Sequence, residues 1–281
     1  MVRIANLHGR AALVVDGGAV DLASASDGRF GPDLAAVYDD WPAAREFAST
    51  LDTSHAEPFE EKHLGAPSPQ PRQVFAIGVH YRAHAEEAGM ALPSMPATFT
   101  KYPTCITGAF ADVALPSAHV DWEVELVVVI GVRAEHVTEA DAWAHVAGVT
   151  VGQDLSERIV QLSAGAQFSL GKSFPGFGPM GPWLVTLDEL DNPDDLALGC
   201  AVDGETMQDA RTNDMVFSVP QLIAQLSAIV PLLPGDVIFT GTPGGVGVTR
   251  QPSRYLQPGE HLDTWIEGVG RMRNRLVGAG T

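Results

Sequence analysis

A short acidic strand constrains the fold of this 281-residue chain more than any other stretch. Residues 120–131 read VDWEVELVVVIG, with Val and Ile dominant and no Pro. The unbroken apolar run over residues 126–130 is typical of a strand buried on both faces. Because Glu123 and Glu125 are two apart, the pleat of a strand turns both carboxylates to the same face. The sequence therefore predicts a central strand that carries two acids into the interior.

Two like charges buried together need compensation, since each carboxylate loses hydration and repels its neighbour. Oxygen ligands suit Mg²⁺, Mn²⁺ or Ca²⁺ rather than zinc. The alternative is an acidic pair on a solvated edge strand, which is common in a chain with 35 Asp and Glu; the apolar run that follows favours the metal. Asp154, at the end of a strand predicted over residues 147–153, would complete a three-carboxylate site. It could equally cap the helix predicted over residues 155–161, and the local sequence favours neither.

Composition restricts the kinds of partner. The formal charge is -18, from 17 Lys and Arg against 35 Asp and Glu, and there is no basic run, which disfavours a nucleic-acid or anionic-membrane partner. A hydrophobic content of 45% with 19% charged residues indicates a well-packed globular protein. Cys105 and Cys200 make no disulfide framework, the N-terminus has no apolar signal core, and no apolar stretch reaches membrane-spanning length. The sequence predicts a cytoplasmic protein.

The N-terminal third predicts a separate small unit. Short apolar runs alternate with turn residues over residues 3–22, as in an antiparallel meander, and two short helices with early Pro follow. Three prolines within residues 65–71 then indicate a stiff linker. The predicted organisation is a small αβ domain (residues 1–66), a Pro-rich linker (67–72) and a catalytic domain (73–281).

A predicted helix over residues 81–88 carries a candidate base. His84 and Glu87 are three apart, so they share one helix face and the carboxylate can orient the imidazole as a general base. An ordinary exposed helix with a solvated His is the alternative, and the helix alone favours it. Residues 91–96 have no regular period and are typical of a hinged lid. Residues from about 80 to 96 are therefore expected to be mobile without a ligand and to order when one binds.

Two glycine-rich loops carry further candidates. Residues 171–182 hold nine Gly, Pro or aromatic residues around Lys172, which makes this lysine a candidate partner for an oxyanion or carboxylate, although most loop lysines are solvated and idle. Residues 241–247 read GTPGGVG, and their N–H groups with the Thr242 hydroxyl suit a carboxylate or keto oxygen. A phosphate cradle is set aside, because the Lys-Ser/Thr pair of a nucleotide loop is missing.

Taken in order, the motifs resemble those of the fumarylacetoacetate hydrolase family. They are GVHYRAHAEE (78–87), FTK (99–101), DWEVEL (121–126), QDLSER (153–158), GKSF (171–174) and GTPGGVG (241–247). Each motif alone is weak, but the ordered set, running from about residue 74 to the C-terminus, is specific. The resemblance implies an α+β, mostly β fold: a mixed β-sandwich roll with a small N-terminal αβ domain, usually as a homodimer.

The resemblance also implies roles for individual residues. It implies that the metal is bound by Glu123, Glu125 and Asp154, that His84 and Glu87 form a water-activating dyad on a lid, and that Lys172 supports the reacting oxygen. The positions that match substrate-binding positions of relatives are Lys101, Arg158, Gln161 and Thr242. This chain has His80 where relatives commonly have Asn, and Ile159 where they have an acid, so a differently tuned pocket mouth is expected.

The sequence thus predicts a hydrolase dependent on Mg²⁺ or Mn²⁺, or else Ca²⁺, that cleaves a carbon–carbon bond in 2,4-dioxo acids of the acylpyruvate or fumarylpyruvate type. His84 would deprotonate the water that attacks the C4 carbonyl. Alternatives are an oxaloacetate decarboxylase or tautomerase, which needs no hydrolytic water, and a hydrolase or lyase of a longer diketo sugar acid. A non-catalytic metal-binding protein is a further alternative, against which His84, Glu87 and Lys172 argue. The expected partner is a small 2-oxo acid whose R group no residue indicates.

Overall fold

In a computed structural model that describes residues 2–87, 89–165 and 167–280, these residues form an eleven-stranded sheet, a five-stranded sheet, a two-stranded sheet and several short helices. The strands are β1 (Arg3–Leu7), β2 (Arg10–Val15), β3 (Gly18–Asp21), β4 (Leu64–Gly65), β5 (Val74–Gly78), β6 (Ala97–Thr100), β7 (Ile106–Gly108), β8 (Val113–Leu115), β9 (Val120–Asp121), β10 (Val124–Ile130), β11 (Val146–Gln153), β12 (Ser156–Glu157), β13 (Gly178–Val185), β14 (Ala197–Val202), β15 (Glu205–Arg211), β16 (Val237–Phe239), β17 (His261–Ile266) and β18 (Gly270–Gly278). The α-helices are α1 (Leu22–Ala25), α2 (Leu34–Asp39), α3 (Trp41–Thr50), α4 (Arg82–Glu87), α5 (Arg158–Ser163) and α6 (Val219–Ser227). No helix in the described part of the chain is long and apolar enough to span a membrane.

The acidic strand lies inside the larger sheet. This sheet has eleven strands, in the order β3-β2-β1-β13-β11-β10-β16-β5-β6 with β4 on β1 and β7 on β13. β10 is hydrogen-bonded on both sides, antiparallel to β11 and to β16, and all seven of its residues are buried. The predicted strand buried on both faces is confirmed for residues 124–130.

The two faces of β10 belong to different cores. Leu126 and Val128 pack in the core shared with the five-stranded sheet β15-β14-β17-β18-β8, whereas Val127 and Val129 pack with Trp41 of α3 and the other N-terminal helices. Burying one Val or Leu side chain stabilises the fold by about 1.5–3 kcal/mol. Because both faces of β10 are buried, apolar side chains are favoured on both, and the strand shows no alternation of polar and apolar residues. The α+β, mostly β sandwich roll with mixed sheets is confirmed.

The N-terminal strands extend the main sheet. β1, β2 and β3 form the expected antiparallel meander, and β1 also pairs with β13, with Arg3 opposite Val185. One sheet therefore runs from the N-terminal segment into the rest of the chain. The domain boundary at residues 67–72 stays a prediction.

Three local predictions around the acids are wrong. The acidic strand is interrupted, since β9 ends at Asp121 and β10 begins at Val124. The helix predicted over residues 155–161 begins only at Arg158, because Ser156 pairs with Asp121 across β12 and β9. Glu157, not Asp154, caps that helix, its side chain accepting from the Val160 N–H at 2.6 Å. The capping interpretation of Asp154 is therefore wrong.

Candidate active site

Three carboxylates meet where β10 and β11 come together. Ligand oxygens of Glu123, Glu125 and Asp154 all lie within 4.8 Å of one another, and all three residues are buried. Glu125 is opposite Gly152 in the β10–β11 pair, Asp154 follows the end of β11, and the Asp154 N–H donates to Glu123 O at 2.9 Å. In the described residues no other group of His, Cys, Asp and Glu comes together in this way. The structure brings together the three metal ligands expected from the sequence.

Two lysines contact this cluster. Lys172 Nζ lies 2.6 Å from Glu123 Oε2 and 2.6 Å from Asp154 Oδ2, and Lys101 Nζ lies 2.6 Å from Asp154 Oδ1. The three hydrogens of the Lys101 ammonium are used by Asp154, Lys172 O and Phe177 O, and this side chain has no exposed surface. Lys101 thus holds Asp154 in this arrangement, and the expectation that it contacts the substrate stays a prediction. Lys172 makes only a long third contact, 3.5 Å to Asp154 O, so one of its hydrogens is available.

Arg158 joins a fourth carboxylate to the cluster. Its Nη1 lies 2.8 Å from Glu123 Oε1 and its Nη2 lies 2.6 Å from Asp121 Oδ2. Arg158 Nη1 also donates to Gln161 Oε1 at 2.9 Å, which leaves the Gln161 amide N–H groups without a partner among the described residues. Four carboxylates therefore face three cationic side chains, Lys101, Lys172 and Arg158, with one negative charge in excess.

Glu125 is the carboxylate without a cationic contact. It accepts the Gly241 N–H at 2.8 Å. Burial raises the pKa of Glu125 well above its usual range, and Asp154 and Glu123 add to the effect. Burial alone would also raise the pKa of Glu123, but Lys172 and Arg158 outweigh it and lower that pKa. A buried, oxygen-only donor set with one uncompensated charge fits a hard divalent cation, which would remove the repulsion that raises the Glu125 pKa.

The glycine loop binds the protein's own carboxylates. The N–H groups of Gly241, Gly245 and Gly247 donate to Glu125 at 2.8 Å, Glu87 at 3.0 Å and Asp121 at 2.7 Å, respectively. A side chain at Gly241 is excluded, since its φ is +90° and a β-carbon would lie 2.6 Å from that of His80. These three N–H groups thus bind carboxylates, as the loop sequence suggested, but the carboxylates are side chains of the protein itself.

Thr242 in the same loop is also engaged internally. Its Oγ1 donates to Val124 O at 2.9 Å and accepts from Gln208 Nε2 at 2.8 Å. A hydroxyl has one hydrogen, so in this arrangement it can accept from a ligand but cannot donate to one. Substrate contacts of Arg158, Gln161 and Thr242 stay predictions.

The expected dyad lies on α4, beside the cluster. His84 Nδ1 is 3.6 Å from Glu87 Oε2, and the two side chains are 15% and 30% exposed. Glu87 is fixed by the Gly245 N–H and by the Thr249 hydroxyl, which donates at 2.7 Å. His84 is close enough to the cluster to lower the pKa of Glu123 electrostatically, as a minor contribution behind burial, Lys172 and Arg158. The carboxylate that would orient the base is thus held by the same loop that holds Glu125, a candidate metal ligand.

His80 does not line a pocket mouth. It is fully buried, its Nδ1 pairs with Thr240 O, its Nε2 accepts the Phe217 N–H at 3.1 Å, and burial lowers its pKa to about 4. The adjacent Tyr81 is also fully buried and bridges to Met215. These two buried residues anchor the start of α4, and the expectation that the residues after them order over a ligand stays a prediction. Ala88, within the predicted helix, lies outside the described residues.

Three residues that hold the ligands in place were missed. Gln153 Oε1 accepts the Glu123 N–H at 2.8 Å, and Gln208 Oε1 accepts the Val124 N–H at 2.9 Å. Asp121 pairs with Arg158 and accepts from Gly247. Asp121 and Gln153 lie inside the motifs DWEVEL and QDLSER, so the motifs could have indicated their importance. Gln208 lies on a distant hairpin outside all the motifs, so no sequence pattern indicated its role.

The fold and the site together define a class: a mixed β-sandwich roll with a buried three-carboxylate centre and a His–Glu pair beside it. Residues 73–277 match the family model described as fumarylacetoacetate (FAA) hydrolase C-terminal. The chain belongs to the fumarylacetoacetate hydrolase family, whose members are hydrolases, isomerases and tautomerases.

Several relatives are similar over most of their length. Oxaloacetate tautomerase FAHD2A, mitochondrial, of Bos taurus is 44% identical over 223 residues, which cover 78% of this chain and 71% of that protein. A Mycobacterium smegmatis protein named after HpcE is 51% identical, with a TM-score of 0.94 over 99% of each chain. Maleylpyruvate hydrolase from Sphingobium sp. SYK-6, in complex with manganese(II) and pyruvate, is 26% identical, with a TM-score of 0.79 over 98% of this chain and 99% of that one.

Proposed function

We propose that this protein is a divalent-metal-dependent hydrolase that cleaves the carbon–carbon bond of 2,4-dioxo acids of the acylpyruvate type. The observation that carries the proposal is the His84–Glu87 pair, 3.6 Å apart, beside the buried three-carboxylate centre. A base, a metal centre and Lys172 with one available ammonium hydrogen are the groups that such a cleavage needs. The manganese and pyruvate in the Sphingobium relative support a 2-oxo acid and a divalent cation such as Mg²⁺ or Mn²⁺.

Each residue of the site would have a defined task. Glu123, Glu125 and Asp154 would hold the cation, which when bound polarises the 2-oxo group and binds the substrate carboxylate. Glu87 would keep Nδ1–H of His84 directed toward itself, so that the free Nε2 takes a proton from water. The water oxygen adds to C4, the C3–C4 bond breaks, and its electron pair leaves on C3 as pyruvate enolate. The proton on His84 then returns to C3, so that a carboxylic acid and pyruvate are released.

Lys172 would stabilise the charge that develops in this cleavage. Its ammonium is buried between Glu123 and Asp154, and those two carboxylates outweigh the effect of burial and raise its pKa, so that it stays charged. A cation already fixed beside the enolate oxygen lowers the energy barrier to cleavage, because the surrounding groups need not reorganise as the negative charge develops. The Gln161 amide is a second donor available to the substrate.

A second candidate is keto–enol tautomerisation of oxaloacetate, which is favoured by the 44% identity to oxaloacetate tautomerase FAHD2A. This reaction needs the same enolate but no hydrolytic water. Pyruvate release from a panel of acylpyruvates, with and without Mg²⁺ or Mn²⁺, tests the proposal, with enol-oxaloacetate decay measured in parallel. We expect pyruvate release that depends on the metal. If the protein acts only on oxaloacetate, tautomerisation replaces hydrolysis as the proposed function. We further propose a homodimer, as expected for this family, which light scattering would check.

A further inference from the structure

We propose that Thr249 is a positioning residue, which holds the end of α4 against the glycine loop and so keeps His84 and Glu87 beside the three-carboxylate centre. Thr249 lies outside all the sequence motifs, two residues after the glycine loop of residues 241–247. The inference rests on the proposed function, because it takes Glu87 to orient His84 as the base. The contacts of Glu87 and the unequal anchoring of the two ends of α4 support it.

The Glu87 carboxylate has a donor for each of its oxygens. The Thr249 hydroxyl donates to Oε1 at 2.7 Å, and the Gly245 N–H donates to Oε2 at 3.0 Å. His84 Nδ1 lies 3.6 Å from Oε2, whereas Oε1 is bound by Thr249 alone among the described residues. Hydrogen bonds to an ionised carboxylate are about twice as strong as those between neutral groups. With both oxygens held, the carboxylate cannot turn away from the imidazole without losing one of these contacts.

The two ends of α4 are anchored differently. At its start, Arg82 donates to Met215 O at 2.8 Å, directly after the buried residues that precede the helix. At its end, Glu87 makes the contacts with the glycine loop, and the mostly exposed residues 89–96 follow. A helix of six residues is too short to be stable alone. The turn that carries His84 therefore depends on what holds Glu87.

The Thr249 hydroxyl has a second acceptor within its own loop. Oγ1 lies 3.0 Å from Val246 O, and a hydroxyl has only one hydrogen, so it donates mainly to either Glu87 or Val246. The ionised carboxylate is nearer and is the stronger acceptor. When α4 moves away, the hydroxyl can turn to Val246 O, so that no donor loses its partner. The contact can therefore break and re-form at low cost, as opening of the site to a substrate requires.

The backbone of the glycine loop comes close to α4 at two positions. At Gly244, a β-carbon would lie 3.3 Å from Glu87 Oε2. At Gly245, φ is +97° and a β-carbon would lie 2.4 Å from Met207 O, so a side chain is excluded. This close approach lets both Gly245 and Thr249 reach the carboxylate of Glu87.

Hydrogen exchange of α4 in the ligand-free protein tests the contact without any assay of activity. Thr249→Val keeps the shape of the side chain but removes the donor, so amide exchange of residues 82–87 should become faster by about tenfold or more. Thr249→Ser keeps the hydroxyl and should restore the protection. The exposed Thr53→Val is the matched control and should exchange as the parent does. Equal exchange of α4 in Thr249→Val and in the parent would overturn the inference.

Protection of a distant strand shows whether the variants keep their fold. β10 is buried along its whole length, so its amides should exchange at the parent rate in Thr249→Val. Faster exchange of β10 together with α4 would mean that the substitution loosens the whole protein, and the inference would then fail.

A double-mutant cycle with Glu87 shows whether Thr249 acts through this carboxylate. If it does, Thr249→Val should lower kcat for acylpyruvate cleavage by about tenfold or more with KM unchanged, and should cause no further loss in Glu87→Ala. A residue that only closes its own turn at Val246 would cause the same loss in both backgrounds, which would overturn the inference. If the parent cleaves no acylpyruvate, the proposed function fails, and exchange of α4 alone decides whether Thr249 holds the helix.

Discussion

The side-chain amide of Gln208 donates to the hydroxyl of Thr242 at 2.8 Å, and this contact closes a ring around Val124. Thr242 Oγ1 donates to Val124 O at 2.9 Å, while Gln208 Oε1 accepts the Val124 N–H at 2.9 Å. Val124 separates Glu123 from Glu125, so both peptide groups that set the directions of these glutamates are fixed. A strand of the smaller sheet, β15, thereby positions ligands that belong to the larger one.

The first prediction is that Gln208→Met weakens metal binding. Met has a similar volume but leaves the buried Val124 N–H without a partner, and loss of such an indirect contact typically costs about 10- to 100-fold in metal affinity. Calorimetric titration with Mn²⁺ measures this loss. The exposed Gln70→Met is the matched control and should bind Mn²⁺ as the parent does. Parent-like affinity in Gln208→Met would mean that the ligands keep their positions without this ring.

The second prediction concerns Glu125, the carboxylate without a cationic contact. Glu125→Gln removes the excess charge, so it should abolish divalent binding while leaving the metal-free protein at least as stable. A ligand that binds only the folded state raises apparent stability by mass action, so the Tm of the variant should lose its dependence on Mg²⁺ or Mn²⁺. Glu86→Gln, an exposed position on α4, is the control. A metal-dependent Tm in Glu125→Gln would place the cation elsewhere.

The local sequence was enough to predict β10, because an unbroken apolar run indicates a strand that is buried on both faces. The ordered motifs likewise identified the family and the residues that form the triad. The break at Trp122 and Glu123 could not be predicted, since it depends on Gln153 and on the Asp154 N–H, which reach Glu123 only across the sheet.

The internal contacts of the loops were equally out of reach. Glycine N–H groups look alike in a sequence whether they face a substrate or a carboxylate of the protein, and only the fold places Glu87 against Gly245. Lys101 is a similar case: an isolated lysine next to a turn-rich stretch gives no sign that it is fully buried against Asp154. Long-range pairings of this kind are set by topology and not by local propensity.

The third prediction is a pH dependence of stability that arises from His80. Burial lowers the pKa of folded His80 to about 4, against 6.5 for an unperturbed His, so between these pH values only the unfolded chain binds the proton. Stability should therefore fall as the pH drops from about 6.5 to about 4, by at most about 3 kcal/mol from this group. Urea unfolding across this range should show a shallower slope, by about one proton, in His80→Asn. His136→Asn, at an exposed position, should keep the parent slope; an unchanged slope in His80→Asn would contradict the assignment.

The fourth prediction is that residues 89–96 become protected from hydrogen exchange when Mg²⁺ and pyruvate bind. Their exposed apolar side chains, among them Met90 and Leu92, can be covered only if this segment closes. His80 and Tyr81 are buried already and should be protected in both states. Mass spectrometry on peptides from the two regions checks both statements. Equal exchange of residues 89–96 with and without ligand would remove the lid from the mechanism.

The last prediction separates hydrolysis from tautomerisation through His84. Both reactions need the metal centre and a stabilised enolate, but only hydrolysis needs a water deprotonated at this residue. His84→Ala should therefore lower kcat for acylpyruvate cleavage by about 100- to 10,000-fold, with Mn²⁺ affinity unchanged because no proposed ligand is altered. Glu87→Gln should cause a smaller loss of the same kind, since the imidazole remains but loses the carboxylate 3.6 Å from its Nδ1. Oxaloacetate tautomerisation, measured on the same metal-loaded preparations, should be less affected in His84→Ala, because the 2-oxo group is still polarised and Lys172 still carries its charge. An unchanged cleavage rate in His84→Ala would rule out the dyad as the source of the nucleophile.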